Sequence, residues 1–191
     1  WFGWFGFNAG SALAANGTAA MAFATTTTSS AAAMLTWIFF DRMNGRKVSA
    51  LGACIGAVVG LVAITPAAGF VSIPKSIFFG FAAAIISNRM LYWKKLKEID
   101  DTLDVFACHG VGGITGMILT AIFAQGENAS LLHGGWSVFG HHMMALILVS
   151  AFTFFGAYFL FRLTNWFIPL RVAEESEDMG LDLSQHGEYH Q

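Results

Sequence analysis

DTLDVFACHGVGGITG, residues 101–116, places one imidazole, His109, in the middle of an apolar, glycine-rich run that has the length and flanks of a membrane-crossing helix. An ionisable group at that depth is costly to bury, so its presence asks for a reason. A path for a small polar solute would supply one. A histidine satisfied within a packed core is the competing reading, and a metal ligand is a weaker third, because the other histidines fall in the outer loop, at the start of the last apolar run or in the tail.

The rest of the chain agrees with a membrane setting. Of 191 residues, 55% are hydrophobic, 15% aromatic and only 12% charged, and the mean hydropathy is +0.60. Soluble domains carry about 25% charged residues, so roughly half of that charge is missing. What remains gathers between long apolar windows and at the C-terminus, which is the pattern of a polytopic helix bundle. Open strands are disallowed in lipid, so the fold class is all-α. The basic residues form no patch interleaved with exposed aromatics, and no nucleic-acid partner is expected. Cys54 and Cys108 both lie in apolar runs and read as small buried thiols rather than a disulfide framework.

Working outward from His109, the apolar windows predict a partial helix at 1–15, then helices at 17–40, 48–67, 73–93, 102–124 and 138–168, with a polar tail at 171–191. The transmembrane domain is thus 1–170. The first helix is shorter than the about 20 residues a crossing needs, and the chain reads as the C-terminal part of a longer protein. Positive charge alternates between sides. Arg42, Arg46 and Lys47 follow the second helix, and Lys94, Lys95 and Lys97 follow the fourth, whereas the connection at 66–76 has only Lys75. By the positive-inside rule the DRMNGRK loop, the KKLKE loop and the C-terminus are cytoplasmic. Pro74 suits the first turn of the fourth helix, with Ser72 available as a cap.

Glycines four apart, at 52, 56 and 60 and at 112 and 116, let helix backbones touch. The hydroxyl run Thr25 to Ser30 reads as packing, its side chains bonding back to carbonyls one turn earlier; a polar lining is the alternative.

Three further groups bear on chemistry. Trp4, Phe7 and Ser11 are spaced i, i+3, i+7 along one face of the first helix. Two rings and a hydroxyl suit a cation, although such stripes are commonly packing or interfacial belts. In the fifth helix Asp101, Val105, His109, Gly112, Gly113 and Gly116 share a broad face. Asp104 lies on another face from His109 and reads as a structural carboxylate that caps the helix start. No nucleophile and base are grouped within the spans, so enzyme chemistry is not expected, nor is a cofactor or a metal. The tail sets Arg171 against six acids and interleaves them with Leu170, Val172, Leu181 and Leu183, so it could dock on the cytoplasmic face.

WFGWFGFNAGSA, LGACIGAVVGLVAITPAAGFV, DDTLDVFACHGVGGITG and LRVAEESEDMGLDLSQHGE resemble successive signatures of the ammonium transporter family. The resemblance runs through nearly the whole chain. It implies an eleven-helix fold of two inverted five-helix repeats plus a final long helix, in a homotrimer with one pore per subunit, in the cell membrane with the C-terminus cytoplasmic. This chain would be the end of helix six, helices seven to eleven and the tail. His109 matches the second of two pore histidines, Phe7 the inner of two gating phenylalanines and Ser11 the hydroxyl of the outer ammonium site. Trp4 matches a pore-lining tryptophan and Val105 an apolar wall residue. The implied mechanism captures ammonium outside, deprotonates it at the phenylalanine gate and passes ammonia along an apolar channel past the histidines. The tail resembles the family's regulatory C-terminus, and a PII-class signal protein is an implied partner. A Rh-like gas channel and an ammonium sensor are alternatives, disfavoured by the ACHGVGG and HGE runs and by the lack of a signalling domain after the tail.

Overall fold

The computed structural model describes residues 1–97, 99–126 and 129–189. Glu98 of the KKLKE loop, two residues of the loop at 125–137 and the last two of the tail lie outside that set. The described residues contain helices and turns and no strand. Helix α1 spans Phe2–Gly10, α2 Gly17–Met43 and α3 Ala50–Ile64, the last running into a 3₁₀ turn at Thr65–Ala67. Helix α4 spans Ile73–Leu96. A π-helical turn at Phe106–Val111 leads into α5, Gly112–Phe123. Helix α6 covers Trp136–Phe167 and a short α7 covers Glu174–Met179.

Local chemistry explains the starts. Asn16 and Ser49 cap α2 and α3 by accepting from the amides of Ala19 and Gly52 at 3.0 Å. Ser72 holds the N-cap position of α4 in extended backbone, but its side chain makes no capping bond. Pro74, in that first turn, removes one of the two amides a cap would use. The hydroxyl that bonds there is Ser76, to the Ile73 carbonyl at 2.7 Å.

Three helices match the length and apolarity of a membrane crossing: Ala50–Ala67, Phe106–Phe123 and Trp136–Phe167. Helices α2 and α4, at 27 and 24 residues, have the length for a crossing of about 20 residues, their apolarity lowered by the hydroxyl run and by charges near the α4 end.

The chain forms two compact units, Trp1–Leu146 and Ile147–Gln191. In the first, α2 is central and packs on α1, α3 and α4, while α5 packs on α3 and α4. The hydroxyl run joins these helices: Ser29 Oγ donates to the Gly60 carbonyl at 2.9 Å, Ser30 Oγ to the Ala57 carbonyl at 3.0 Å, and Thr28 and Ser76 share a bond of 2.5 Å. Thr25, Thr27 and Thr28 bond back to carbonyls one turn earlier. A Cβ added at Gly60 would lie 2.5 Å from the Ser29 carbonyl oxygen, so the ladder on α3 sets this close approach. Trp37, Val59, Ala63, Ala83, Ala84 and Leu91 fill the core between these helices. Cys108 is buried beside them, but Cys54 is exposed, correcting the expectation of two buried thiols: it occupies the face of α3 that the glycine ladder leaves outward.

Helices α2 to α5 run alternately up and down. At one end Arg46 reaches Asp41 at 3.3 Å and Asn88 at 3.2 Å and lies over the Tyr92 ring, which joins the DRMNGRK loop to the last turns of α4. At the other, Lys75 donates to the Phe123 carbonyl at 3.0 Å and Gln125 N to the Phe70 carbonyl at 2.8 Å.

In the second unit the part expected to be a plain polar tail folds into α7 and a π turn at Asp182–His186. Arg171 holds Glu177 through two bonds, Nε to Oε1 at 2.7 Å and an Nη to Oε2 at 3.1 Å, and Ser184 Oγ donates to the Ser176 carbonyl at 3.1 Å. Helix α6 begins in the first unit and continues into this one, and it buries none of its residues.

Candidate functional site

The site is built from α1, α3 and the π turn before α5. Helix α1 has Asn8 as its one buried residue, and the amide of that side chain donates to Thr26 Oγ1 on α2 at 2.9 Å. With Asn8 anchored, Phe7 and Ser11 are left exposed and Trp4 half-buried. The Trp4 indole N–H donates to Thr65 Oγ1 at 2.8 Å, and the Thr65 hydroxyl in turn donates to the Leu61 carbonyl. The rings of Trp4 and Phe7 meet edge to face with centroids 6.0 Å apart. Ser11 Oγ donates to the Phe7 carbonyl at 2.5 Å, so its lone pairs remain as acceptors.

A cavity of about 210 Å³ lies beside Phe7, Asn8, Ser11, Thr18, Thr65 and Phe70, at the end of the bundle that also holds Lys75. A second, about 300 Å³, is lined by Gly3, Trp4 and Phe7.

On α3, one turn from Thr65, Val62 lies under the start of α5: a Cβ added at Gly112 would stand 3.5 Å from Val62 Cγ1. A single turn of α3 therefore touches both Trp4 and the glycines that follow His109. From the Lys75 end inward, the order is Ser11, Phe7, Trp4, the Thr65–Val62 turn, then His109 and Val105 toward the Lys94 end.

His109 and Val105 are exposed, whereas Ala107, Cys108, Val111, Gly112 and Gly116 are buried. This corrects the broad shared face expected at an α-helical period. The turn at Phe106–Val111 is π-helical, with wider i→i+5 spacing, so His109 and Val105 point outward while Gly112 and Gly116 face α3. Asp101 precedes the helix altogether. Among the described residues, the imidazoles that hydrogen-bond are His133, to Ser130 Oγ at 2.9 Å, and His142, to the Val138 carbonyl at 2.9 Å. That of His109 is not one of them.

The carboxylate that caps this helix is Asp101, accepting from the amides of Val105 and Phe106 at 3.0 Å each, and not Asp104. Asp104 has a left-handed backbone, φ 54°, which turns its side chain to Lys94 Nζ at 2.6 Å. Lys94 and Lys95 both belong to the last turn of α4 rather than to a loop, and of the two Lys94 is buried. Sequence reasoning missed Lys94, Thr65 and Asn8: each sits beside a louder signal, a lysine cluster, a proline and an aromatic stripe. Among the described residues no group of three or more His, Cys, Asp or Glu side chains could hold a metal.

The model of the Ammonium Transporter Family matches residues 1–191. The chain is 46% identical to a putative ammonium transporter of Methanothermobacter thermautotrophicus, covering 98% of this chain and 48% of that protein. It is 42% identical to an ammonium transporter of Bacillus subtilis, with the same coverage. Among solved structures, Candida albicans Mep2 superposes with a TM-score of 0.86 at 36% identity over 99% of this chain and 44% of its own. A structure described as a sensor Amt protein gives 0.86 at 29% identity, over 97% and 46%. The chain spans about half the length of the curated relatives it matches. With a family match along its whole length and this fold, the chain belongs to the ammonium transporter family.

Proposed function

We propose that this chain forms one wall of a pore that carries ammonium or ammonia across the cell membrane, as part of a multi-pass protein with a cytoplasmic C-terminus. The observation that carries the reading is the uncovered line Ser11, Phe7, Trp4, His109 and Val105, set against buried neighbours on the same helices. Ser11 offers acceptor lone pairs and Phe7 a ring face, which suits a cation that can only donate. Inward of Phe7 the wall becomes apolar apart from single imidazole and indole groups. A bare cation meets a low-dielectric barrier there, whereas neutral ammonia needs only a few hydrogen-bond partners. Ammonium is therefore recruited at Ser11, releases its proton to the water at the mouth outside Phe7, and passes His109 as ammonia. The role is transport, not enzymatic turnover.

Homotrimer assembly fits the exposed apolar surfaces of α6 and of the α2/α4 groove, lined by Leu35, Ile77, Phe78 and Phe81. The folded tail is the proposed contact for a PII-class protein. A pull-down lacking ammonium- or nucleotide-dependent association would remove that partner.

The test of the pore is His109→Ala in the full-length protein, reconstituted in liposomes. Ammonium-dependent current is expected to be lost or its selectivity altered. Wild-type current, selectivity and ammonia permeability would overturn the assignment of His109.

A further inference from the structure

We infer that Lys94 and Asp104 are positioning residues for His109, acting through the backbone: the buried ammonium pins Asp104 in a left-handed conformation from which the π turn starts. The inference rests on the pore reading of His109.

Asp104 has φ 54°, a region that few residues besides Gly, Asn and Asp enter. Its side chain is fixed there by an ion pair. Its carboxylate accepts from Lys94 Nζ at 2.6 Å, and the same ammonium donates to the Asp101 carbonyl at 2.5 Å and stands 3.2 Å from the Asp101 carboxylate. Both ends of the 101–104 segment are thereby tied to one charge on the last turn of α4. The turn is closed by Asp104 N donating to the Asp101 carbonyl at 3.0 Å. The side chain of Lys94 is 4% exposed, while its neighbours Lys95 and Lys97 are exposed. Burying an ammonium is costly unless it is fully paired, so its place in the fold is bound to this segment.

The candidate site lies directly after this clamp in the chain. The Asp104 carbonyl accepts from Cys108 N at 3.0 Å, and the next residues form the π turn Phe106–Val111. That turn sends His109 outward while Cys108 and Val111 point into the core. Releasing Asp104 to an ordinary backbone angle would rotate the start of this helix. His109 would then shift relative to the line of Trp4 and Phe7, although neither Lys94 nor Asp104 needs to touch the solute.

The test compares Asp104→Ala, Asp104→Asn and Asp104→Gly in the full-length transporter, with currents normalised to inserted protein. Gly and Asn keep access to the left-handed backbone and Ala does not. Asp104→Ala is expected to lower ammonium current roughly tenfold, the scale of forcing one ordinary residue into that region, and to change ammonium-over-potassium selectivity. Asp104→Gly and Asp104→Asn should stay within about threefold of wild type. Lys94→Met should be impaired, and less so in the Asp104→Gly background. Near-normal current and selectivity in Asp104→Ala would overturn the inference, as would equal loss in all three Asp104 variants. An undiminished Lys94→Met defect in Asp104→Gly would remove Lys94 from it. Should Asp104→Ala fail to insert, Asp104→Ser takes its place with the same expectations. His109→Ala, measured in parallel, separates the two readings: if it is silent the pore assignment fails, and if it is impaired while Asp104→Ala is normal only the clamp fails.

Discussion

Burial alone would push the Asp101 carboxyl up, but the Phe106 amide, the Lys94 ammonium and the Val105 amide outweigh it and hold the group below the ordinary carboxylate range. A folded-state value below the unfolded one gives a stabilising contribution that is present above about pH 4, the unfolded value. It is lost as the pH falls through the lower folded value. The amides of Val105 and Phe106 should therefore keep their protection from hydrogen exchange between pH 7 and 5, after correction for intrinsic rate. Loss of protection already at pH 5 would contradict the capping role. At this scale the sequence showed an imidazole in an apolar run, and it showed that the Asp104 side chain does not reach that imidazole directly within the helix. It could not show which aspartate caps, because that choice turns on one backbone angle, φ 54° at Asp104. Nor could it separate Lys94 from Lys95 and Lys97, which differ only in the helix face they occupy.

Helix boundaries were legible because apolar windows and Pro74 mark them, and α2, α3, α4 and α6 fall close to the spans expected, whereas the fifth, expected from 102, begins with its π turn at Phe106. The phase within the fifth span was not, because reading faces at an α-helical period assumes no π turn, and nothing in FACHGV announces one. The close contacts between helices were legible in the glycine spacing, and they carry a prediction. A Cβ at Gly60 would meet the Ser29 carbonyl oxygen at 2.5 Å and Ser30 Cα at 2.7 Å, both backbone atoms that cannot swing aside. Helix α3 would have to back away from α2, straining the bonds from Ser29 and Ser30 to the Gly60 and Ala57 carbonyls. Gly60→Ala in the full-length protein should cost about 1–3 kcal/mol, the usual range for overpacking a tight contact. A clear drop in the melting temperature in detergent is the expected reading, and an unchanged one would show that α2 and α3 can separate without loss.

At the scale of the molecule, much of the exposed surface is apolar. Helix α6 buries no residue, and Phe152, Phe155, Phe159 and Phe161 are each more than half exposed. Lipid can cover an apolar helix, but it offers no hydrogen-bond partner to the exposed His109 imidazole, whereas the Trp4 indole and the Ser11 hydroxyl already have partners in Thr65 and the Phe7 carbonyl. A lone wall also has no opposite side to exclude lipid chains or to surround a solute with low-dielectric surface. The relatives are about twice as long as this chain, which leaves length for the facing wall that the proposed pore requires. Residues 1–191 reconstituted alone should therefore insert into liposomes and show no ammonium-dependent current. Co-expression with a separate chain that supplies the N-terminal half of a full-length relative should give current, and that current should be sensitive to His109→Ala in this chain. Robust ammonium current from residues 1–191 alone would mean that copies of this chain close a pore among themselves, and the one-wall reading of Ser11, Phe7, Trp4, His109 and Val105 would have to be abandoned.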